Sequence, residues 1–235
     1  MKITPQLLYQ ILLDEFGELN WWPVDIKYHK KTGSDPRFEV IVGAILTQNA
    51  AWLNVEKALK NLKSKNMLDI KKISYANLNE LNKLVKPTGF FNQKANRLKN
   101  LASYINNNYE GDLDFFFKRD LHEIREELLS LNGIGPETAD SILLYAGNLP
   151  IFVVDSYTKR ICKRLPLDIN PIYDDIQKYF QNTLSKKFQK NEISKIYNQL
   201  HASIVYLAKT YCKSKPECNN CPLQRYCMYK KQLSQ

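Results

Sequence analysis

The chain has 235 residues, of which 44% are hydrophobic and 25% are charged, as in an ordinary folded globular protein. No uninterrupted apolar run of about 18 residues occurs, and acidic and polar residues interrupt the apolar positions near the N-terminus, so we predict neither a membrane span nor a signal peptide and expect a cytoplasmic protein. Lysine and arginine number 34 against 24 acids, a formal charge of +10, which favours a polyanionic partner, although a solvated basic surface would give the same count.

The first part of the chain has the apolar spacing of helices. Residues 7–12 repeat leucine and isoleucine at the period of an amphipathic helix. The polar stretch from Tyr28 to Asp35 predicts a loop, and Pro36 suits the first position of a helix that Asp35 caps. The next segment, Phe38 to Leu46, is apolar on nearly all sides, which predicts a central buried helix.

The helical pattern continues through the middle of the chain. Residues 51–63 place their large apolar side chains on one face, and residues 95–105 repeat the pattern after a turn around Gly89. The only strand-like run is Ile151 to Val154, whose β-branched residues fit either a short strand or a buried extended approach to a helix. We therefore predict an all-α protein.

A glycine-rich segment between two helical patterns predicts a hairpin. Gly133 and Gly135 flank Ile134, and glycine adopts a positive φ at little cost, so a tight turn fits here. Pro136 suits the start of the helix that follows. The backbone amides of the turn would then point outward together and could bind a phosphate. A plain packing corner between two helices is the alternative.

Asp155 lies twenty residues after Gly135, where the apolar run ends and a basic helical segment begins. It can serve simply as a helix N-cap. The amides at a helix start would also stabilise its ionised form and keep its pKa low. A fixed carboxylate can stabilise the positive charge that develops on a sugar as its glycosidic bond breaks, and it can help to orient an attacking water.

Four of the five cysteines are clustered near the C-terminus, in a region that is also rich in lysine. Such clustering in a cytosolic protein predicts a metal centre rather than disulfides. Four thiolates can bind one iron–sulfur cluster, and a zinc site with four thiolate ligands is the alternative. Cys162 stands apart and is predicted to be a buried helical residue. The clustered residues are Cys212, Cys218, Cys221 and Cys227.

Gly133-Ile134-Gly135, followed at this distance by Val153-Val154-Asp155, resembles the helix-hairpin-helix DNA glycosylase superfamily of endonuclease III. The resemblance extends from about Trp21 to Cys227. It implies that Asp155 is the catalytic aspartate and that the partner is double-stranded DNA containing a damaged base. The residues expected to contact DNA in the hairpin are Gly133, Ile134, Gly135 and Thr138.

The same resemblance implies an all-α, two-lobed endonuclease III-like fold with the active-site cleft between the lobes. Residues 34–147 would form a six-helix barrel lobe that contains the helix-hairpin-helix. Residues 1–33 and 148–235 would form the second lobe, with a [4Fe–4S] cluster bound by the four clustered cysteines. The first gap between those cysteines has five residues, where the family usually has six.

One position departs from the bifunctional members of that family. They carry a lysine two positions after the second glycine of the hairpin, which forms a Schiff base with the sugar before the strand is cleaved. Here that position is Glu137, and a carboxylate cannot form an imine. We therefore predict a monofunctional glycosylase that uses water as the nucleophile. Glu137 either assists catalysis, contacts the flipped base, or is an ordinary carboxylate at a helix start.

A polar cluster ends the predicted central helix at Leu46-Thr47-Gln48-Asn49. By the family resemblance Gln48 fills the gap that the extruded nucleotide leaves, and helix capping by Gln48 and Asn49 is the alternative. Trp21 and Trp22 are candidates for the pocket that accepts the base, although both rings could instead pack in the core.

Together with the segment from Gly89 to Ala95, these motifs resemble the bacterial 3-methyladenine glycosylases related to endonuclease III, which also lack the lyase lysine. Aromatic rings suit a cationic alkylated purine. The cysteines depart from the best-known member of that branch, and similar archaeal enzymes with the cluster include some that favour uracil. We expect an alkylated purine such as 3-methyladenine as the substrate, with uracil next.

We therefore predict a monomeric, nucleoid-associated DNA glycosylase of base excision repair, which flips out a damaged base and hydrolyses its N-glycosidic bond to leave an abasic site. Two alternatives stay open. A bifunctional glycosylase/lyase would need another amine, such as Lys159, and borohydride would trap its adduct with DNA. A non-catalytic lesion-binding protein would bind damaged duplexes and release no base.

Overall fold

The computed structural model of the protein describes residues 3–167 and 169–233. The chain divides into two compact units, which we call the middle unit (Trp22–Leu149) and the terminal unit (Met1–Trp21 with Pro150–Gln235). The described residues contain no strand, so the all-α prediction is confirmed. None of the helices formed by these residues has both the length and the apolar character that crossing a bilayer requires.

The described residues form fourteen α-helices, a 3-10 turn at Lys86–Thr88 and a π-helical turn at Ile142–Ala146. In chain order the helices are α1 (Pro5–Phe16), α2 (Ile26–Thr32), α3 (Pro36–Leu46), α4 (Trp52–Ser64), α5 (Ile70–Tyr75), α6 (Leu78–Val85), α7 (Phe91–Tyr109), α8 (Leu113–Phe117), α9 (Leu121–Ser130), α10 (Pro136–Ser141), α11 (Ser156–Arg164), α12 (Tyr173–Leu184), α13 (Ile193–Thr210) and α14 (Met228–Leu233).

The middle unit, all of whose residues the structure describes, has nine α-helices, α2 to α10, and eight of them lie within residues 34–147, where six were expected. The additional helices are short ones that begin at capping side chains in polar stretches. Asp69 accepts from the amide of Lys72 to start α5, and Asp112 accepts from the amide of Phe115 to start α8. Such caps start helices that apolar periodicity alone does not indicate, because the helices are too short to repeat the pattern.

Helix α3 forms the centre of the middle unit, as predicted. Every residue from Phe38 to Leu46 is buried. The side chain of Asp35 accepts a hydrogen bond from the amide of Arg37 at 2.8 Å, and Pro36 occupies the first helical position. The predicted N-cap is therefore confirmed.

The polar stretch from Tyr28 to Asp35 is not the loop that was predicted, because most of it belongs to α2. His29 of that helix is buried and lies 2.9 Å from the carboxylate of Glu39 in α3. Lys63 of α4 lies 2.7 Å from the same buried carboxylate. A buried charge must be compensated by partners. These contacts join α2 to α3 and α4 within the middle unit, which begins at Trp22, whereas the predicted barrel lobe begins at residue 34.

In the terminal unit, the segment from Ile151 to Val154 is buried and extended but belongs to no strand. A buried backbone needs hydrogen-bond partners, and glutamine side chains of α12 provide them here. Gln181 accepts from the amide of Phe152 at 2.9 Å, and Gln177 donates to its carbonyl oxygen at 2.7 Å. Of the two predicted alternatives, the buried extended approach to a helix is the one observed.

Candidate functional site

The glycine-rich segment of the middle unit forms a tight hairpin between α9 and α10. Gly133 has a φ of +85°, which glycine adopts readily and other residues do not. Ile134 is buried and anchors the turn. Gly135 has an extended backbone with φ −96°, and a methyl group there would meet nothing within 4 Å. Only Gly133 is therefore required by its conformation, whereas Gly135 leaves an open surface beside its backbone.

Gln48 lies just beyond the end of α3, and its side chain reaches the hairpin. Its Nε2 atom donates to the carbonyl oxygen of Gly133 at 3.0 Å and to the hydroxyl of Thr138 at 2.9 Å. Thr138 is buried under this contact. The side chain of Thr47, rather than that of Gln48, bonds back to α3, by donating to the carbonyl of Gly43. The alternative in which the Gln48 side chain caps α3 is therefore not observed.

Arg97 of α7 completes this polar network. Its Nη1 atom donates to the Oε1 atom of Gln48 at 2.5 Å. Its guanidinium lies directly over Gly133, where a methyl group would overlap it. Glycine at position 133 is thus required for its positive φ, and a side chain there would also displace Arg97.

Lys94, one turn before Arg97, ties two turns of the middle unit together. Its buried ammonium donates to the carbonyl oxygens of Leu46 and Thr88, both at 2.9 Å. Each turn that follows these carbonyls contains a residue in the left-handed region, Asn49 (φ 50°) and Phe90 (φ 46°). Burial, with a smaller contribution from Arg97, lowers the pKa of Lys94 to about 8.

Asp155 is buried at the N-cap of α11 in the terminal unit. Its Oδ1 atom accepts hydrogen bonds from the amide and the hydroxyl of Thr158, at 2.7 and 2.8 Å. Its Oδ2 atom lies 3.6 Å from Nε2 of His201 on α13. Burial acts to raise the pKa of this carboxyl, but His201 and the two bonds from Thr158 outweigh it and hold the pKa below its ordinary value. The predicted N-cap is confirmed, and the carboxylate is ionised at neutral pH.

The two adjacent tryptophans are divided between the units. Trp22 belongs to the middle unit, where its ring centroid lies 5.4 Å from those of Trp52 and Tyr145. Its indole also covers Gly43, so closely that a methyl group there would overlap the ring. Trp21 belongs to the terminal unit. Trp22, Trp52 and Tyr145, which we call the aromatic cluster, are all half-buried.

Glu137 is exposed in the first turn of α10, and Lys159 is exposed in the first turn of α11. The amine of Lys159 lies over the ring of Tyr173, 5.7 Å from its centroid. Both side chains therefore reach the surface of the unit to which they belong.

The four clustered cysteines lie between α13 and α14. Arg164 of α11 donates to the sulfur of Cys212 at 3.0 Å and accepts at its carbonyl from Cys227. Burial raises the pKa of Cys221 to about 11, and the thiols of the other three clustered cysteines add to the rise. No three His, Cys, Asp or Glu side chains of the described residues are arranged as a metal-binding group. The donor set itself has the composition of a four-thiolate iron–sulfur site.

Residues 42–186 match the protein family described as HhH-GPD superfamily base excision DNA repair protein. The chain belongs to this superfamily. A candidate DNA repair glycosylase of Methanocaldococcus jannaschii is 44% identical to this HhH-GPD protein over 226 residues, which cover 95% of each chain. Endonuclease III of Sulfolobus acidocaldarius is 32% identical over 195 residues, which cover 82% of each chain.

A solved structure gives the same result for the fold. The crystal structure of the H. pylori 3-methyladenine DNA glycosylase MagIII bound to 1,N6-ethenoadenine matches with a TM-score of 0.72 and 28% identity, covering 88% of this chain and 98% of that one. The predicted family and the predicted endonuclease III-like fold are therefore confirmed.

Several contacts in this HhH-GPD protein were not indicated by any sequence motif. Arg97 on Gln48 and His201 beside Asp155 join residues that are far apart in the chain. Tyr145 joins the aromatic cluster from the π-helical turn. A half-buried tyrosine or a lone arginine on a helix is a common surface feature, so only the folded chain reveals these partners.

Proposed function

We propose that this HhH-GPD protein is a monofunctional DNA glycosylase that hydrolyses the bond between a damaged base and its deoxyribose. The observation that carries the proposal is the state of Asp155, a buried carboxylate held ionised at the N-cap of α11 by Thr158 and His201. A glycosylase needs such a group, because breaking the N-glycosidic bond leaves positive charge on the sugar.

The chemical step follows from that charge. The bond from C1′ to the base breaks, and the base departs with the bonding electrons. The Asp155 carboxylate stabilises the cationic sugar and orients a water molecule, whose oxygen bonds to C1′. The proton released by that water passes to Asp155 or to solvent, and an abasic site remains.

The presence of a glutamate at position 137 is an argument for hydrolysis and against strand cleavage. The lyase reaction needs an amine that attacks C1′ and forms an imine, and a carboxylate at this position cannot do so. Lys159 is the alternative amine, since it is exposed in the first turn of α11, and its backbone amide donates to the carbonyl of Asp155. A lyase reaction through Lys159 is the second candidate function.

Duplex DNA binding is assigned to the hairpin and to Gln48. The open surface at Gly135 lets the backbone approach a phosphate, and the amides that begin α10 would donate to it. Gln48, which lies just beyond the end of the buried helix α3, would fill the space left by the extruded nucleotide. A firmly packed helix gives such a wedge the support that unstacking a base requires.

For the substrate we favour an alkylated purine such as 3-methyladenine, with uracil as the next choice. The aromatic cluster of Trp22, Trp52 and Tyr145 offers faces on which a cationic purine could stack. The similarity to MagIII, which was solved with 1,N6-ethenoadenine, supports the same class.

The four clustered cysteines would hold a [4Fe–4S] cluster, which, when bound, can exchange one electron and cross-links the segment that carries it. The resemblance to endonuclease III implies this cluster, and the chain is similar to endonuclease III of Sulfolobus acidocaldarius. The catalytic step described above needs only the side chains of the protein and water.

A panel of labelled duplexes tests the proposed function. The purified protein is incubated with duplexes that contain 3-methyladenine, uracil, mismatched thymine or an oxidised base, with and without borohydride. We expect base release without strand scission and without a trapped adduct, and loss of release in Asp155→Asn with DNA binding retained. A borohydride adduct that disappears in Lys159→Gln would establish the lyase instead. Binding without release from any duplex would overturn the proposal.

A further inference from the structure

Arg97 differs from the other arginines of the middle unit. Arg37, Arg119 and Arg125 each form an ion pair with a carboxylate. Among the described residues no carboxylate lies within ion-pair distance of Arg97. In the part of the chain that the structure describes, its guanidinium bonds only to neutral amide oxygens, those of Gln48 and Gln93. No described residue therefore neutralises the positive charge of Arg97.

The position of this charge points to its partner. The guanidinium lies over Gly133 of the hairpin, and Gly135 of the same hairpin has an open surface beside its backbone. A second cation, Lys94, is close enough for its pKa to be lowered by Arg97, so the local potential is positive. An arginine fork matches the geometry of a phosphate and binds it with two parallel hydrogen bonds.

We infer that Arg97 is a DNA-backbone contact that controls Gln48. In the structure, Arg97 holds the Oε1 atom of Gln48, while the Nε2 atom of Gln48 is bonded to Gly133 and Thr138. A phosphate that binds at the hairpin attracts the guanidinium more strongly than a neutral amide does. Arg97 then exchanges the Oε1 atom of Gln48 for the phosphate, so that only the two Nε2 bonds to the hairpin still hold Gln48 and its entry into the duplex becomes easier. The inference rests on the proposed binding of DNA at the hairpin.

The salt dependence of DNA binding tests the phosphate contact. Each phosphate that a side chain neutralises contributes about 0.9 to the slope of log K against log salt concentration. We expect Arg97→Gln to lower the slope by about that amount. The matched control is Lys71→Gln, which also removes one positive charge. Lys71 lies beside Gly111, just past the end of α7, and Arg97 is about 18 Å from that end along the helix. We expect that control to keep the wild-type slope.

Gln48→Ala tests the exchange without removing Arg97. On an undamaged duplex, where no base is flipped, this variant should bind as tightly as the wild type or more tightly, because Arg97 no longer has to leave a partner. A double-mutant cycle between Arg97→Gln and Gln48→Ala should be non-additive by a factor of about 2 or more in affinity, since the two side chains share a hydrogen bond.

The results separate the inference from the function on which it rests. An unchanged salt slope in Arg97→Gln, or weaker binding of undamaged duplex by Gln48→Ala, overturns the inference while base release by the wild type still supports the glycosylase. If Arg97→Gln does not fold, the Gln48→Ala measurement decides alone. Failure of the wild type to bind any duplex overturns both.

Discussion

The ammonium of Lys94 donates to the carbonyl oxygen of Leu46, the last residue of α3, at 2.9 Å. A second bond to Thr88 places one buried cation between two turns that are otherwise separate in sequence. The turn that carries Gln48 is therefore held by Lys94, which lies 46 positions further along the chain.

Replacement of Lys94 by methionine should destabilise the protein. Two buried carbonyl oxygens lose their partner, at about 1–3 kcal/mol each, partly offset because no ammonium need be buried. We expect a net loss of about 2 kcal/mol in the free energy of unfolding, measured by urea denaturation. Lys99→Met is the matched control on the same helix. Lys99 is half-exposed and donates to one carbonyl, that of Ala76, so its loss should cost less.

The difference in stability between the wild type and Lys94→Met should depend on pH. The pKa of Lys94 is about 8 in the folded chain, below its ordinary value of about 10.4. The unfolded chain therefore binds the extra proton between these values, and stability rises with pH in that range. Between pH 8 and 10 the wild type should gain stability relative to Lys94→Met. A constant difference would show that the pKa of Lys94 is not lowered.

The two hairpin glycines should respond differently to alanine. Gly135 has a negative φ and open space, so Gly135→Ala should fold normally and weaken DNA binding, because its methyl group projects from the proposed phosphate surface. Gly133→Ala should lose about 1–2 kcal/mol of stability through its positive φ. Calorimetry and fluorescence anisotropy measure the two effects. Wild-type affinity in a folded Gly135→Ala would contradict the proposed approach of DNA to the backbone.

His201 should set the acid limit of base release. Burial acts to raise the pKa of Asp155, and His201 makes the largest of the contributions that lower it. Without the imidazole, as in His201→Gln, the pKa of Asp155 should rise, and the fall in single-turnover rate on acidification should begin at higher pH. His122→Gln, an exposed substitution on α9, is the control and should keep the wild-type profile. Superimposable profiles for His201→Gln and the wild type would rule out this role.

Asp155→Asn separates the charge of Asp155 from its role as a cap. Asparagine also caps helices, so the fold should persist. The lowered pKa of Asp155 means that its charge stabilises the folded chain above the unfolded pKa and that this contribution is lost as pH falls through the folded value. The melting temperature of the wild type should therefore exceed that of Asp155→Asn at pH 7, and the difference should shrink on acidification below about pH 4.

The proposed cluster has a direct test. Protein purified without oxygen should be brown and contain iron, and Cys218→Ser should lose both colour and iron and melt at a lower temperature. Cys162→Ala is the control. Burial raises the pKa of Cys162 to about 12, so it stays a thiol, and its replacement should leave the iron content unchanged. A colourless wild type that contains zinc would replace the cluster with a zinc site.

Local features of the sequence were sufficient to predict the elements that depend on neighbouring residues. Asp35 and Asp155 cap the helices that follow them, and Gly133 takes the positive φ that its turn requires. These features depend on steric limits and hydrogen bonds within three or four residues, and such interactions do not depend on the rest of the fold. The stretch from Tyr28 to Asp35 shows the limit, because its polar residues look like a loop until Glu39 supplies a buried partner.

The amino-acid sequence by itself determined an all-α HhH-GPD chain with a hairpin, a capped aspartate and four clustered cysteines. Only the tertiary structure decided that Arg97 lies on Gln48 and Gly133 and that His201 lies beside Asp155. The physical reason is range. Capping and turn preferences act between neighbours in the chain, whereas the partner of a buried or charged side chain is chosen by the packing of whole helices, which brings together residues that no short motif connects.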